Sequence, residues 1–309
     1  MFTTKSDMLD FNDSIIENLF ELLRTVLKMC YELGEYTDED GNYYDCRISE
    51  ELEADVQIIF SFHSILIDSD TLKSIKRLIK DDGFITVSKQ LRHLYHVSDG
   101  CDYFLEHLDR IADEKYVPTF TDIKYCRDRT IGVTHEEVSY EFHGKQIDID
   151  IFDVGGQRAE RKAWQNVFAN TSALYFFVAI SEYAMKCIED DVTNRICEAL
   201  SVLRILSEAP VFATTPMLIV VTKSDQLKAK LDEGEKFHLE PPESGIASFE
   251  PYRGDNTLED IQQYIEDICR AQVKGDKKVI VVFKNLLDDN VTFRDEFDQL
   301  LDAVEALKA

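Results

Sequence analysis

Basic charge is what this sequence has least of. Across 309 residues, 34 Lys and Arg stand against 60 Asp and Glu, a formal net charge of -26. That balance excludes a face able to track a nucleic-acid duplex, and it excludes bulk attraction to an anionic membrane. It leaves room for a local site that takes phosphate through a divalent cation. The 7 cysteines are an odd number with no Cys-x-x-Cys pair, so reduced thiols in a cytosolic protein are expected, without a disulfide framework or zinc site. No apolar run approaches the length of a membrane span. The opening "MFTTKSDMLDF" has no basic region followed by an apolar core, Phe2 is not a myristoylation glycine, and "EALKA" has no prenylation cysteine. The Asn-x-Ser/Thr matches at Asn12, Asn170 and Asn290 read as chance. There is no repeat and no low-complexity tract.

What is present divides near residue 116. Before it, apolar residues recur at helical spacing. "NDSIIENLFELLRTVLKMCYEL" places Ile15, Ile16, Leu19, Leu22, Leu23, Val26 and Leu27 on one face, with Asp13 or Ser14 as the expected cap. "DSDTLKSIKRLIKDDG" opens on a capping signal and is expected to end at Gly83; "DYFLEHLDRIAD" is a further amphipathic helix. No alternating pattern before residue 117 reads as a strand, so residues 1–116 are expected to form a helical domain. The acidic loop "YTDEDGNYYDCR" resembles a calcium loop only superficially. With Gly41 in the glycine position, the first and last ligands would be Tyr36 and Arg47, which do not suit calcium.

From residue 117 to 309 the pattern changes. "VTHEEVSYEFHGKQIDIDIFDVGG" holds two alternating runs about His143-Gly144, a β-hairpin. "SALYFFVAI", "PMLIVVTKS" and "KKVIVVF" read as buried strands, separated by helical stretches at 187–207, 256–273 and 291–308. Strands alternating with helices imply a doubly wound α/β sheet.

Three short motifs could carry chemistry. Asp153 ends a strand and precedes two glycines in "DVGGQ", at the sheet edge where ligands of open α/β sheets bind. A carboxylate there suits a metal–phosphate centre, glycine amides can donate to an anion, and the Gln157 amide can orient a water. A plain strand-to-helix turn requiring glycine accounts for "DVGGQ" equally well. In "VVTKSD" the Asp225 carboxylate could accept two hydrogen bonds from a guanine edge while the Lys223 stem lies over the base, although a polar loop explains that run alone. In "CRDRTIG", Arg127 could neutralise charge on a transferring phosphoryl group and the Thr130 hydroxyl could ligate Mg²⁺. A basic linker explains it alone.

In order and spacing, 127/130, 153–157 and 222–225 resemble the switch I, switch II and base-recognition motifs of alpha subunits of heterotrimeric G proteins. "DVGGQRAERKAW" is nearly that family's switch II signature, and "YFLEHLDRI", "YVPTFTDI" and "NTLEDIQQYI" are similar to family segments. The resemblance runs from about residue 10 to the end. It implies a P-loop GTPase-like doubly wound sheet with an all-helical domain. It also implies a guanine-nucleotide-dependent switch downstream of G-protein-coupled receptors, with GTP/GDP and Mg²⁺ as cofactors. An arginine in cis and a water-orienting glutamine are known features of this family's phosphoryl transfer. By resemblance Arg127 and Gln157 take those catalytic roles. Thr130 and Asp153 serve Mg²⁺, Gly156 donates its amide to the γ-phosphate, and Lys223 and Asp225 read guanine. Arg158, Arg161 and Trp164 would lie on the surface for βγ subunits and effectors. The location implied is cytoplasmic, within a complex at the inner face of the plasma membrane.

The departures are as informative. None of the 12 glycines gives G-x-x-x-x-G-K-[ST], the loop that cradles phosphates in this fold. Losing about four charge-assisted bonds of roughly 1.5–3 kcal/mol each removes about 6–12 kcal/mol, or roughly 10⁴- to 10⁹-fold in affinity. Weak or no GTP binding is therefore expected of these residues, together with a gap between hairpin and sheet where a first strand would lie. A shortened gene product is one expectation. A nucleotide-free pseudo-GTPase acting as an interaction or scaffold protein is the other. Lesser departures are Thr222 where the family usually has Asn, Asn285 for a small alanine in the second base motif, and Ala163 for a lysine on switch II.

Overall fold

The computed structural model describes residues 8–9, 11–38, 41–92, 100–127, 130–169, 171–242 and 245–307. The chain forms two compact units, residues 1–128 and 129–309.

The first unit is built on α1 (Asn12–Leu33), whose apolar face buries Ile15, Ile16, Leu19, Leu22, Leu23, Val26 and Leu27. The helix starts at Asn12, too early for Asp13 or Ser14 to cap it. Phe11 is the capping residue and gives no side-chain bond, so Asp13 acts instead as an acid in the first turn. Gly34 ends α1 at φ 56°, donating its N–H to the Cys30 carbonyl. A short antiparallel ribbon follows, β1 (Glu35–Thr37) and β2 (Tyr43–Asp45). This corrects the expectation of no strand before residue 117, because three-residue strands are too short to show alternation. The Asp38 carboxylate closes the ribbon's turn by accepting from the Asn42 backbone and side chain, both at 2.8 Å. Arg47 pairs with Glu35 and Asp45, so a cation ends the loop that failed as a calcium site.

Next come α2 (Glu53–Ser61) and α3 (Ser69–Leu78). Asp68 caps α3 by accepting from the Asp70 and Thr71 amides at 2.9 and 2.8 Å. The helix ends at Leu78, not Gly83. Gly83 lies within α4 (Asp82–Ile85), where a β-carbon would fall 2.3 Å from the Arg47 carbonyl oxygen. The unit closes with α5 (Cys101–Glu106), α6 (Leu108–Ile111) and α7 (Phe120–Tyr125). The compact unit extends to 128, beyond the 116/117 division read from the sequence, because α7 is bound into it. Tyr125 stacks on Tyr103 with ring centres 4.0 Å apart. The fully buried Asp122 accepts from Arg110 at 2.6 and 2.8 Å, from the Tyr103 hydroxyl at 2.6 Å and from the Thr119 amide at 2.6 Å.

The second unit opens with the hairpin β3 (Val133–Phe142) and β4 (Lys145–Val154), in register from Val133↔Val154 to Phe142↔Lys145. Its turn residues His143 (φ 49°) and Gly144 (φ 75°) are both left-handed, as a two-residue hairpin twist demands. After α8 (Gln165–Phe168), the strands β5 (Leu174–Ala179), β6 (Met217–Thr222) and β7 (Val279–Lys284) form a parallel sheet in the order β5-β6-β7. The helices are α9 (Arg195–Glu208), α10 (Ser224–Asp232), α11 (Leu258–Gln272) and α12 (Arg294–Ala306). Every residue of β6 is buried. Met217, Ile219 and Val221 join the core under α9 and α11, whereas Leu218 and Val220 meet Leu300 of α12 on the opposite face. Helices thus cover both faces, the doubly wound arrangement expected. The hairpin and the sheet share no ladder among the described strands. Side chains bridge them instead: the Tyr140 hydroxyl donates to Asp298 at 2.7 Å, and Phe297 meets both Tyr140 and Tyr175.

The Asp122 network sets a pH test. Burial alone would raise this carboxyl, but Arg110, the Thr119 amide and the Tyr103 hydroxyl outweigh it and hold it well below the carboxylate range. A depressed folded pKa stabilises the fold above the unfolded value of about 4, and that stability is lost as pH falls through the folded value. Asp122→Asn is expected to cost about 3 kcal/mol at neutral pH and to flatten the acid limb of stability, read by helical circular dichroism in urea between neutral and acid pH.

Candidate functional site

The carboxyl end of β4 delivers Asp153 to the rim of the second unit. Thr130, just before β3, lies beside it, and its hydroxyl donates to the Asp153 carboxylate at 3.1 Å. Asp153 is exposed and Thr130 half-buried. Two hard oxygen donors side by side and open to solvent are what Mg²⁺ takes, so these residues fit the ion.

The two glycines that follow differ. Gly155 is buried, and a β-carbon there would lie 2.6 Å from the Thr130 carbonyl oxygen and 2.8 Å from the Glu160 side chain. Its amide donates to the Gly132 carbonyl at 3.2 Å. Tight turn packing is reason enough for this glycine. Gly156 is exposed, has nothing within 4 Å of an added β-carbon, and is not left-handed. Among the described residues, nothing around Gly156 requires that it lack a side chain. Gln157 is half-buried, with its backbone carbonyl bound by the Glu160 amide at 2.9 Å.

Beyond Gln157 the sequence suggests a charged helix. The chain instead makes one 3₁₀ turn, Arg161–Trp164, before the short α8. Side-chain bonds hold it tight. Glu198 on α9 accepts from Arg158 at 3.1 Å and pairs with Arg161 at 2.8 Å. Arg158 also reaches Asp190 at 2.7 Å, Arg161 donates to the Gly156 carbonyl at 3.1 Å, and the Trp164 indole N–H donates to the Gly155 carbonyl at 2.9 Å. Burial alone would raise the Glu198 carboxyl, but the two arginines hold it below its ordinary range.

At the end of β6, Lys223 adopts a left-handed conformation, φ 63° and ψ 31°, at the cap of α10. That conformation is uncommon for a side chain without a short polar group, and it sets this turn apart from an ordinary polar loop. Its ammonium pairs with Glu182 at 2.7 Å, which Arg195 also holds at 3.1 Å. Burial would raise the Glu182 carboxyl, yet these two cations lower it. Asp225, two residues on, is exposed and has no hydrogen-bond or ion-pair partner among the described residues. Asn285 after β7 spends its side-chain oxygen on the Leu287 amide at 2.9 Å.

Arg127 belongs to the first unit. The Asn18 side chain brackets its backbone, accepting from the Arg127 amide at 2.7 Å and donating to its carbonyl at 3.0 Å. The Arg127 side chain is exposed. Sequence reasoning missed Asn18, Glu160, Glu182 and Glu198. Glu198 left a trace: Asn194 caps α9 through the Ile196 and Cys197 amides, setting an acid in its first turn. Asn18 left none, because an amide inside an amphipathic helix gives no sign of its partner.

A sequence profile described as "G-alpha: G-protein alpha subunit" matches residues 2–304. The chain belongs to the G-protein alpha subunit family. The guanine nucleotide-binding protein alpha-12 subunit of Caenorhabditis elegans is 29% identical over 275 residues, covering 87% of this chain and 71% of that one. Its counterpart in Caenorhabditis briggsae is 28% identical over the same spans. Membership makes this alpha-subunit chain a G-protein signal transducer by class, with guanine nucleotide as the class ligand. No described helix is long and apolar enough to cross a membrane.

The contrast between the glycines of this G-alpha chain is testable. Gly155→Ala is expected to destabilise the second unit by about 1–3 kcal/mol, and Gly156→Ala to stay within about 0.5 kcal/mol of the parent. Urea unfolding followed by the fluorescence of Trp164, the 1 tryptophan in the chain, reads both.

Proposed function

We propose that this alpha subunit is a guanine-nucleotide-dependent switch in which residues 127–157 serve the γ-phosphate end and residues 222–225 the base end. The carrying observation is the pairing of Thr130 with Asp153, two magnesium-type oxygens brought together from the two ends of one hairpin. Gly156 would donate its amide to the γ-phosphate, and Gln157 would orient the attacking water. Arg127 would offset charge in the transition state, with Lys223 and Asp225 holding guanine. Mg²⁺ would supply charge neutralisation between the phosphates.

Arg158, Arg161 and Trp164 would form the surface read by βγ subunits and effectors, in a cytoplasmic complex coupled to a G-protein-coupled receptor. In this reading a partner would compete for the bonds these residues make with Glu198, Asp190 and Gly155.

We further propose that hydrolysis by residues 1–309 alone is impaired, because they contain no G-x-x-x-x-G-K-[ST] run. That absence, with Thr222 and the occupied Asn285 side chain, also supports a second reading, a nucleotide-free interaction protein. Titration with a fluorescent GTP analogue and Mg²⁺ separates them. Magnesium-dependent binding well weaker than micromolar is expected. Micromolar binding would contradict impairment, whereas no binding at millimolar analogue would leave the interaction protein as the function.

A further inference from the structure

One face of the β3–β4 hairpin gathers ligand-type side chains that the motifs above do not use. Alternate residues of a strand share a face, and the register Glu137↔Asp150 sets His135, Glu137 and Glu141 of β3 beside Asp148, Asp150 and Phe152 of β4. All of them are exposed. Asp153 lies on the other face, as does the hairpin's lysine, Lys145. The ligand atoms of His135, Glu137 and Asp150 all lie within 4.8 Å of one another. The His135 Nε2 is 2.7 Å from the Asp150 carboxylate. The His135 ring lies nearly parallel to that of Phe152, with ring centres 4.5 Å apart, and this stacking limits its rotation.

Folding gives no account of this grouping. Glu137 and Asp150 are direct cross-strand partners, and like charges in that relation are destabilising. No described Lys or Arg pairs with either, and Glu137 has no hydrogen-bond or ion-pair partner among the described residues. The His135 and Asp150 side chains are 42% and 62% exposed, and an ion pair so placed adds little to stability. A divalent cation between the two carboxylates turns their repulsion into attraction. The imidazole selects the class of ion. Carboxylates alone suit Mg²⁺ or Ca²⁺, whereas one ring nitrogen with two carboxylate oxygens suits Zn²⁺. Three protein ligands leave the fourth tetrahedral position to water. The ion takes the place of the proton between His135 and Asp150, and Glu137 closes on it from across the ladder.

We propose that His135, Glu137 and Asp150 bind one Zn²⁺ ion across the hairpin, at a site distinct from the oxygen pair of Thr130 and Asp153. The test uses the whole 309-residue chain with ¹⁵N-labelled histidine, titrated with zinc chloride alone and then in excess magnesium chloride, at about pH 7.5. A saturable change in the His135 ring resonances at micromolar Zn²⁺ is expected, unaffected by Mg²⁺. Glu137→Gln and Asp150→Asn, both at exposed positions, are each expected to weaken it by about tenfold or more. His135→Ala is expected to leave no micromolar binding at the hairpin, read from the backbone amides of β3 and β4. An unmoved His135 ring at millimolar Zn²⁺ would overturn the proposal. Unchanged affinity in both carboxylate variants would reduce the site to a lone histidine and overturn it as well. Displacement of Zn²⁺ by Mg²⁺ would overturn the choice of a nitrogen-binding ion.

Discussion

The Glu198 carboxylate, gripped by Arg158 and Arg161, is the contact on which the segment after β4 in the second unit depends. Glu198 stands on α9, whose Leu200 and Leu203 are buried in the core beside Met217, Ile219 and Val221 of the central strand. The helix is therefore a fixed point. The segment from Gly155 to Trp164 has little of its own to hold it, its one regular element being the 3₁₀ turn Arg161–Trp164. Its backbone position is set by side chains that cross to α9, by the indole bond to Gly155, and by Glu160, which accepts from the Gly132 amide at 3.0 Å. These charge-assisted bonds are individually stronger than neutral ones. They fix the backbone on either side of Gly156 and Gln157.

The constraint matters because the hairpin and the three-stranded sheet form separate ladders. In most α/β units strand pairing carries position from one part of the sheet to the next. Here the hairpin is tied down at two places by side chains. At its turn end, Tyr140 and His143 bond Asp298 and Asp302 of α12 at 2.7 and 2.8 Å. At its site end the clamp through Glu198 does the same work. Backbone ladders resist displacement through many bonds at once, whereas a side-chain clamp opens when one charge is removed.

Much of this architecture is legible in the sequence. The hairpin follows from two alternating runs about His143-Gly144, and β6 from "MLIVV", an unbroken apolar run that only a strand buried on both faces requires. The glycine pair also signals a special turn, but the sequence cannot say which glycine packing demands; that needed the Thr130 carbonyl and Glu160 in place around Gly155. Boundaries were less legible. The start of α1 slid past Asp13 because Phe11 takes the capping position without a side-chain bond. The β1–β2 ribbon escaped because its register is set by one Asp38–Asn42 turn and not by a repeating pattern. Asn18 and Glu198 act on residues more than a hundred and about forty positions away along the chain, a separation that no local pattern encodes.

Hydrogen exchange at the amides of residues 155–164 in Glu198→Gln, compared with the parent chain, tests the clamp most directly. The substitution keeps the side chain's shape and removes its charge. Weakening charge-assisted bonds of roughly 1.5–3 kcal/mol should let this segment open about tenfold or more often, with exchange in β6 and α11 unchanged. Unaltered protection across residues 155–164 would contradict the account, and would mean that contacts other than those of the Glu198 charge hold the segment.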